Sequence, residues 1–178
     1  RVKEKRRDEK MKKIIVVGCP GSGKSTFSKK LHRLTSIPLF HLDMMYWKKD
    51  QTTVEKEEFL RLLSKVLQMD SWILDGNYAS TMEQRLAACD TAIFLDYPAE
   101  VCLEGVRSRR GQARSDIPWI ETKEDEEFIA FVQSFNEQQK PKILNLFQTY
   151  GNKNCIVLHS RAEGEKFLSR LEKTAAKG

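Results

Sequence analysis

Apolar residues recur along this chain with two different periods. Short, nearly unbroken apolar runs stand at Ile14-Ile15-Val16-Val17, Pro38-Leu39-Phe40-His41-Leu42, Trp72-Ile73-Leu74, Thr91-Ala92-Ile93-Phe94-Leu95 and Cys155-Ile156-Val157-Leu158. Runs of this kind read as strands buried on both faces, as in a parallel sheet. Between them the spacing lengthens to that of a helix: Leu31 and Leu34 within 24–35, then Val54, Phe59, Leu62, Leu63, Val66 and Leu67 within 54–69. Further helices are expected near 82–88, over 98–109, along one long stretch from Lys123 to Tyr150, and over 162–174. Phe128, Phe131, Val132 and Phe135 form a packing stripe on the long one. This alternation predicts an open α/β fold with five parallel strands and helices on both faces. Ligands bind such sheets beyond the carboxyl ends of the strands, and three strands here end in an acid: Asp43, Asp75 and Asp96.

Composition narrows the possibilities. The 178 residues suffice for one domain with a substantial core, and 40% hydrophobic with 31% charged residues is ordinary for a globular chain. No apolar run approaches the ~20 residues that span a bilayer, and the charged N-terminus holds no apolar leader. The net charge of +6 is unevenly spread: residues 1–13 carry eight Lys or Arg against three Asp or Glu, leaving 23 basic against 22 acidic residues over the other 165. The basic character belongs to a tail rather than to a domain face, and no helix-turn-helix pattern is present. Both observations argue against a nucleic-acid partner. Residues 1–10 are expected to be a charged, disordered extension ahead of Met11, with 11–178 as a single domain. Cys19, Cys89, Cys102 and Cys155 are scattered without metal-ligand spacing, which favours a reducing cytoplasm over a disulfide framework. His32 and His159 read as surface residues, and His41 as a histidine satisfied within a buried strand.

One segment carries specific chemistry. Gly18-Cys19-Pro20-Gly21-Ser22-Gly23-Lys24-Ser25 has the spacing Gly, four residues, Gly-Lys-Ser, and it lies between the first strand and the first helix, which begins with Thr26 and Phe27. Strand, glycine loop and helix in that order form a phosphate-binding P-loop. Its glycines turn backbone N–H groups inward around phosphate oxygens, and the helix N-terminus adds partial positive charge. Lys24 reaches the β- and γ-phosphates and Ser25 offers its hydroxyl to Mg²⁺, so the expected cofactors are ATP and Mg²⁺. Cys19 in this loop reads as a tolerated small residue, with oxidation that blocks the loop as the alternative. A guanine reader of the form Asn-Lys-x-Asp and the signature of transporter ATPases are both absent.

Gly18–Thr26, His41-Leu42-Asp43-Met44-Met45-Tyr46-Trp47 and Trp72-Ile73-Leu74-Asp75-Gly76-Asn77-Tyr78 together resemble the adenylate-kinase-related bacterial proteins labelled topology modulation proteins. The resemblance runs from Met11 to about Leu171 and extends more broadly to nucleoside monophosphate kinases. It implies a three-layer P-loop fold with strand order 2-3-1-4-5. It also implies that Asp75-Gly76 corresponds to the Asp-Gly where the acid helps position Mg²⁺. Asn77, Tyr78 and Ala79 stand where adenylate kinases carry Phe-Pro-Arg, and Tyr46 stands where they carry a second phosphate-binding arginine. Asp96-Tyr97-Pro98 matches their Asp-x-Pro. Gly105 replaces an expected arginine, whereas Arg109 and Arg110 are kept. Residues from about 110 to 121 then make a short lid.

These observations assign candidate roles. Lys24, Asp43, Arg109 and Arg114 are the candidate catalytic residues. Asp43 serves as general base toward an acceptor hydroxyl, or binds a water on Mg²⁺, with a helix-cap aspartate as the structural alternative. Arg107, Arg109, Arg110 and Arg114 cluster where a transferred phosphoryl group needs positive charge. Gly18, Pro20, Gly21, Ser22, Gly23, Lys24, Ser25, Thr26 and Arg110 are expected at the nucleotide. Asp43, Tyr46, Trp47, Asp75, Asn77 and Tyr78 are expected at the acceptor, and Ser25 with Asp75 at the metal. Asp96, just before a proline and a helix, reads as an N-terminal cap. The expected function is a kinase that transfers the γ-phosphoryl group of Mg-ATP to a small molecule, such as a nucleotide or nucleoside. The alternatives are a nucleotide-dependent switch or a DNA-topology-related protein with weak ATPase activity.

Overall fold

A computed structural model describes residues 11–177; the extension expected at residues 1–10 lies outside the described residues. The elements run β1 (Lys13–Gly18), α1 (Lys24–Thr35), β2 (Leu39–His41), α2 (Leu42–Tyr46), α3 (Lys56–Leu67), β3 (Trp72–Asp75) and α4 (Ala79–Ala88). The second half adds β4 (Thr91–Leu95), α5 (Ala99–Ser108), α6 (Glu126–Gln138), α7 (Lys140–Thr149), β5 (Asn154–Leu158) and α8 (Arg161–Ala175). The five strands form one sheet in the order β2-β3-β1-β4-β5, every neighbouring pair parallel. β3 and β4 are buried at every position, as is β1 beyond Lys13, so both faces of the sheet centre are covered. Each Ile, Leu or Val sealed there contributes about 1.5–3 kcal/mol of burial free energy. On the covering helices, α1 packs against α8, while α5, α6 and α7 pack in series and Phe147 of α7 meets Phe94 of β4 edge to face.

Register brings the chemistry to one edge. His41 pairs with Asp75 across β2 and β3, and Val16 pairs with the same Asp75 across β1 and β3. The ends of three strands therefore lie side by side next to the glycine loop. Among the described residues no helix is long and apolar enough to cross a membrane.

Several local expectations change. The stretch from Lys123 to Tyr150 is two helices, because Pro141 at the start of α7 cannot continue the backbone ladder of α6. α6 itself begins at an Asp125 cap whose carboxylate accepts from the N–H groups of Glu127 and Phe128. β2 is only partly buried, since it is a sheet edge, and its end turns at once into α2, a single turn too short for a periodic signal. Phe131 departs from its stripe: it is exposed, while Val132 and Phe135 are buried. Among the described residues Asp96 caps no helix. Its Oδ2 forms an ion pair with Lys140 Nζ at 2.8 Å and faces His159 Nδ1 at 3.1 Å, which ties the end of β4 to α7 and to the end of β5. His159 thus has an acid partner that lies far away in sequence.

Candidate active site

The glycine loop folds as its sequence requires. Gly21 and Gly23 adopt φ of 82° and 91°, and the Ser22 amide donates to the Cys19 carbonyl at 3.0 Å, closing the turn that ends in α1. A second constraint holds the loop from outside. A Cβ on Gly21 would fall 2.0 Å from the Cys102 carbonyl oxygen, and a Cβ on Gly105 would fall 2.0 Å from the Gly21 carbonyl oxygen. Loop and helix α5 therefore touch backbone to backbone. That contact is the local reason for glycine at position 105, where adenylate kinases carry arginine. Cys19 is buried and its thiol donates to the Val132 carbonyl at 3.7 Å, while the Cys102 thiol donates to the Tyr97 carbonyl at 3.9 Å. The neighbouring Cys102 and burial push the Cys19 thiol upward. Both thiols are buried, which fits Cys19 as a tolerated small residue of the loop.

Above the loop lies a cavity of about 1120 Å³. Pockets for one small molecule usually span about 300–1,000 Å³, so this volume suits two ligands. Pro20, Gly21, Gly23, Lys24, Ser25 and Thr26 line one side. Asp43, Trp47, Asp75, Asn77 and Tyr78 line the other, and Arg109, Arg110 and Arg114 come from the irregular 109–125 segment that arches between α5 and α6. Of the candidate residues, Gly18, Ser22 and Tyr46 do not reach the cavity wall. Tyr46 is packed among Trp47, Phe59 and Tyr78 at centroid distances of 5.1–5.4 Å.

Among the described residues Lys24 donates only to the Cys19 carbonyl, at 3.3 Å. Burial lowers its pKa, opposed by the charges of Asp75 and Asp43. Asp43 stands in the first turn of α2 and accepts a hydrogen bond from the Tyr78 hydroxyl. Burial raises the Asp43 pKa, with Tyr78 and Lys24 pulling the other way. A raised carboxyl pKa in a cleft is what a general base requires. Asp75 Oδ2 binds His41 Nδ1 at 2.7 Å, while its Oδ1 has no hydrogen-bond partner among the described residues. Burial, the largest single influence, would lower the His41 pKa, but the hydrogen bond to Asp75 and the charges of Asp75 and Asp116 together outweigh it and the net shift is upward.

The 76–78 turn is held from below. Asn77 Nδ2 donates to the Gly18 carbonyl at 2.8 Å and its Oδ1 accepts from the Gly18 amide at 3.1 Å, which clamps the turn to β1. Tyr78 sits at φ 33°, ψ 76°, a strained backbone for a bulky residue. Arg85, fully buried, fixes it by donating to the carbonyls of Gly76, Asn77 and Tyr78. Burial drops the Arg85 pKa to about 10. Among the arginines of the 109–125 segment, Arg114 donates from Nε and Nη2 to Asp116 at 2.9 and 2.7 Å, and from Nη1 to Glu121 at 2.8 Å. Arg109 places Nε 3.6 Å from the same Glu121, and that buried Nε has no hydrogen-bond partner among the described residues. Arg110 Nη2 binds Glu124 at 2.6 Å, and Arg107 faces the same carboxylate from 3.9 Å.

Sequence reasoning missed His41 as the partner of Asp75, Arg85 beneath the turn, Asp116 and Glu121 against the arginines, and Trp119 against Trp47. His41 with Asp75 and Trp47 with Trp119 join segments distant in sequence. Arg85 and the partners of Arg114 instead lie within nine residues of the groups they bind, in an irregular turn and arch that carry no periodic signal.

No family model matches the chain, and no curated protein matches it. Solved structures do. Shikimate kinase from Bacteroides thetaiotaomicron superposes with a TM-score of 0.60 at 20% identity, over 93% of this chain and 99% of that one. Shikimate kinase from Acinetobacter baumannii, in complex with shikimate, superposes with a TM-score of 0.61 at 17% identity, over 95% of each chain. At these identities the likeness establishes the fold. The chain adopts the five-stranded, 2-3-1-4-5 P-loop fold.

Proposed function

We propose that this chain is a P-loop kinase of the cytoplasm that transfers the γ-phosphoryl group of ATP to a hydroxyl of a small-molecule acceptor. The observation that carries this reading is the meeting of Lys24 and Asp43 across one cavity large enough for two ligands. Loop amides and Lys24 hold the triphosphate, with Arg110 on the same side. Asp43 accepts the proton of the acceptor hydroxyl as that oxygen bonds to the γ-phosphorus. The bond from phosphorus to the β–γ bridging oxygen breaks, and ADP departs with its electron pair. Arg109, whose Nε has no hydrogen-bond partner among the described residues, and Arg114, once freed from Asp116 and Glu121, stabilise charge on the transferring oxygens in this reading. The donor set of the Ser25 hydroxyl and the free Asp75 Oδ1 suits Mg²⁺, which binds a few hard protein oxygens and completes its shell with phosphate and water. When bound, the ion neutralises charge on the β- and γ-oxygens.

The 109–125 segment acts in this reading as a lid, closing over both ligands so that the acceptor rather than water is phosphorylated. The fold shared with the shikimate kinases and the sequence likeness to the adenylate-kinase-related group both support a phosphotransferase. ADP release measured over a panel of acceptors tests it. Turnover stimulated by one compound is expected, and Lys24→Ala should lower that turnover by roughly 10²–10³-fold, as loss of one electrostatic donor does. Slow hydrolysis indifferent to every acceptor would replace the kinase with a nucleotide-dependent switch.

A further inference from the structure

The acceptor side of the cavity carries its own charge balance. Asp116 and Glu121 engage Nε, Nη2 and Nη1 of Arg114, and Glu121 also faces Arg109. Within the cavity lining Arg109 and Arg114 are thus faced by Asp116 and Glu121, and Asp43 lines the same cavity. The pairing is reflected in the protonation of its members. Burial opposes charge on Arg114 and on Asp116, yet each is driven further toward its ionised form by the other. An anion that engaged the Arg114 fork would have to displace Asp116 or Glu121 from it, in a cavity that Asp43 also lines. Like-charge juxtaposition of this kind excludes partners effectively. The same wall offers apolar faces: Trp47 and Trp119 both line the cavity and meet edge to face, with centroids 5.2 Å apart.

We infer that the acceptor is an uncharged ring compound bearing a hydroxyl group, and that Asp116 and Glu121 exclude its phosphorylated or carboxylated counterparts. This rests on the kinase reading only in taking the second half of the cavity to be the acceptor's. Trp47 and Trp119 supply a readout that needs no catalysis. The full chain, without nucleotide, is titrated with thymidine against thymidine 5′-monophosphate, and with the methyl ester of shikimate against shikimate, while tryptophan fluorescence is followed.

The uncharged member of at least one pair should bind at least about tenfold more tightly than its anion. Which pair responds separates a planar base from a hydroxylated ring. Glu121→Gln, and separately Asp116→Asn, should narrow that preference to about threefold or less by freeing part of the Arg114 fork; circular dichroism confirms that each variant is folded, and one folded variant suffices. Equal or tighter binding of the anions to the unmodified chain overturns the inference, as does no response to any of the four compounds or an undiminished preference in a folded variant. The kinase reading fails separately, if the uncharged compounds bind as expected yet no hydroxyl compound stimulates ADP formation.

Discussion

Between β1 and α1 the cavity is lined by main chain: two glycines at positive φ, a closed turn and a helix start, supplied by a few consecutive residues. Between α2 and the 109–125 segment it is lined by side chains, drawn from α2, the 76–78 turn and the arch, and almost every polar group there is already bonded to another. The backbone site is general, since any nucleoside triphosphate presents the same oxygens. The side-chain site is selective, because each carboxylate or ring can be exchanged without disturbing the sheet. A protein of this fold can thus keep the donor half constant while the acceptor half changes.

Substitutions on the two sides should separate these behaviours. The largest effect is expected from Asp43→Asn, which removes the proposed base. Turnover should fall about 10²–10⁴-fold in an ADP-release assay while nucleotide affinity, read by calorimetry, stays close to that of the parent. Arg85→Met strikes the frame of the acceptor side. Three carbonyls of the 76–78 turn lose their donor, and stability in urea should drop by about 3–5 kcal/mol, the range for breaking a buried polar network. Gly105→Ala strikes the donor side: the new methyl meets the Gly21 carbonyl, and overpacking should cost about 1–3 kcal/mol in stability and weaken nucleotide binding.

The smallest effect is expected from Tyr78→Phe, and it is one of pH. The Tyr78 hydrogen bond lowers the Asp43 pKa, so its loss should raise that pKa further. In the proposed role Asp43 works as the carboxylate, so activity should climb as pH rises through its pKa. The acid limb of the rate profile should therefore move to higher pH in the Phe variant. A limb that stays in place would show that another group sets it.

The same contrast explains what the sequence disclosed. Strand positions, the P-loop and the acids Asp43 and Asp75 were legible because each rests on local spacing: unbroken apolar runs, the glycine pattern, an acid at a strand end. Strand order was accessible only through family resemblance, since periodicity says nothing about which strands are neighbours. The acceptor side was legible in outline alone. Asp43 and Trp47 reach the cavity, but Tyr46, adjacent in the same motif, turns into the Phe59 cluster. Asn77 lines the cavity while both ends of its amide clamp the Gly18 backbone, a structural duty that spacing could not reveal. The break between α6 and α7 was written in Pro141, although the apolar period runs through it. Asp96, Lys140 and His159 meet only because β4, α7 and β5 pack together.

The contact of Gly21 with Gly105 has a mechanical consequence. With no side-chain atoms between them, the nucleotide loop and the middle of α5 have no compressible layer and must shift as one block. Any swing of the arch is then pushed beyond that block, to where α5 ends at Ser108 and Gly111 takes φ 77°. The pivot is placed within a few residues of Arg109, so a small rotation there would sweep the guanidinium groups of Arg109 and Arg114 across the cavity while the glycine loop stays still.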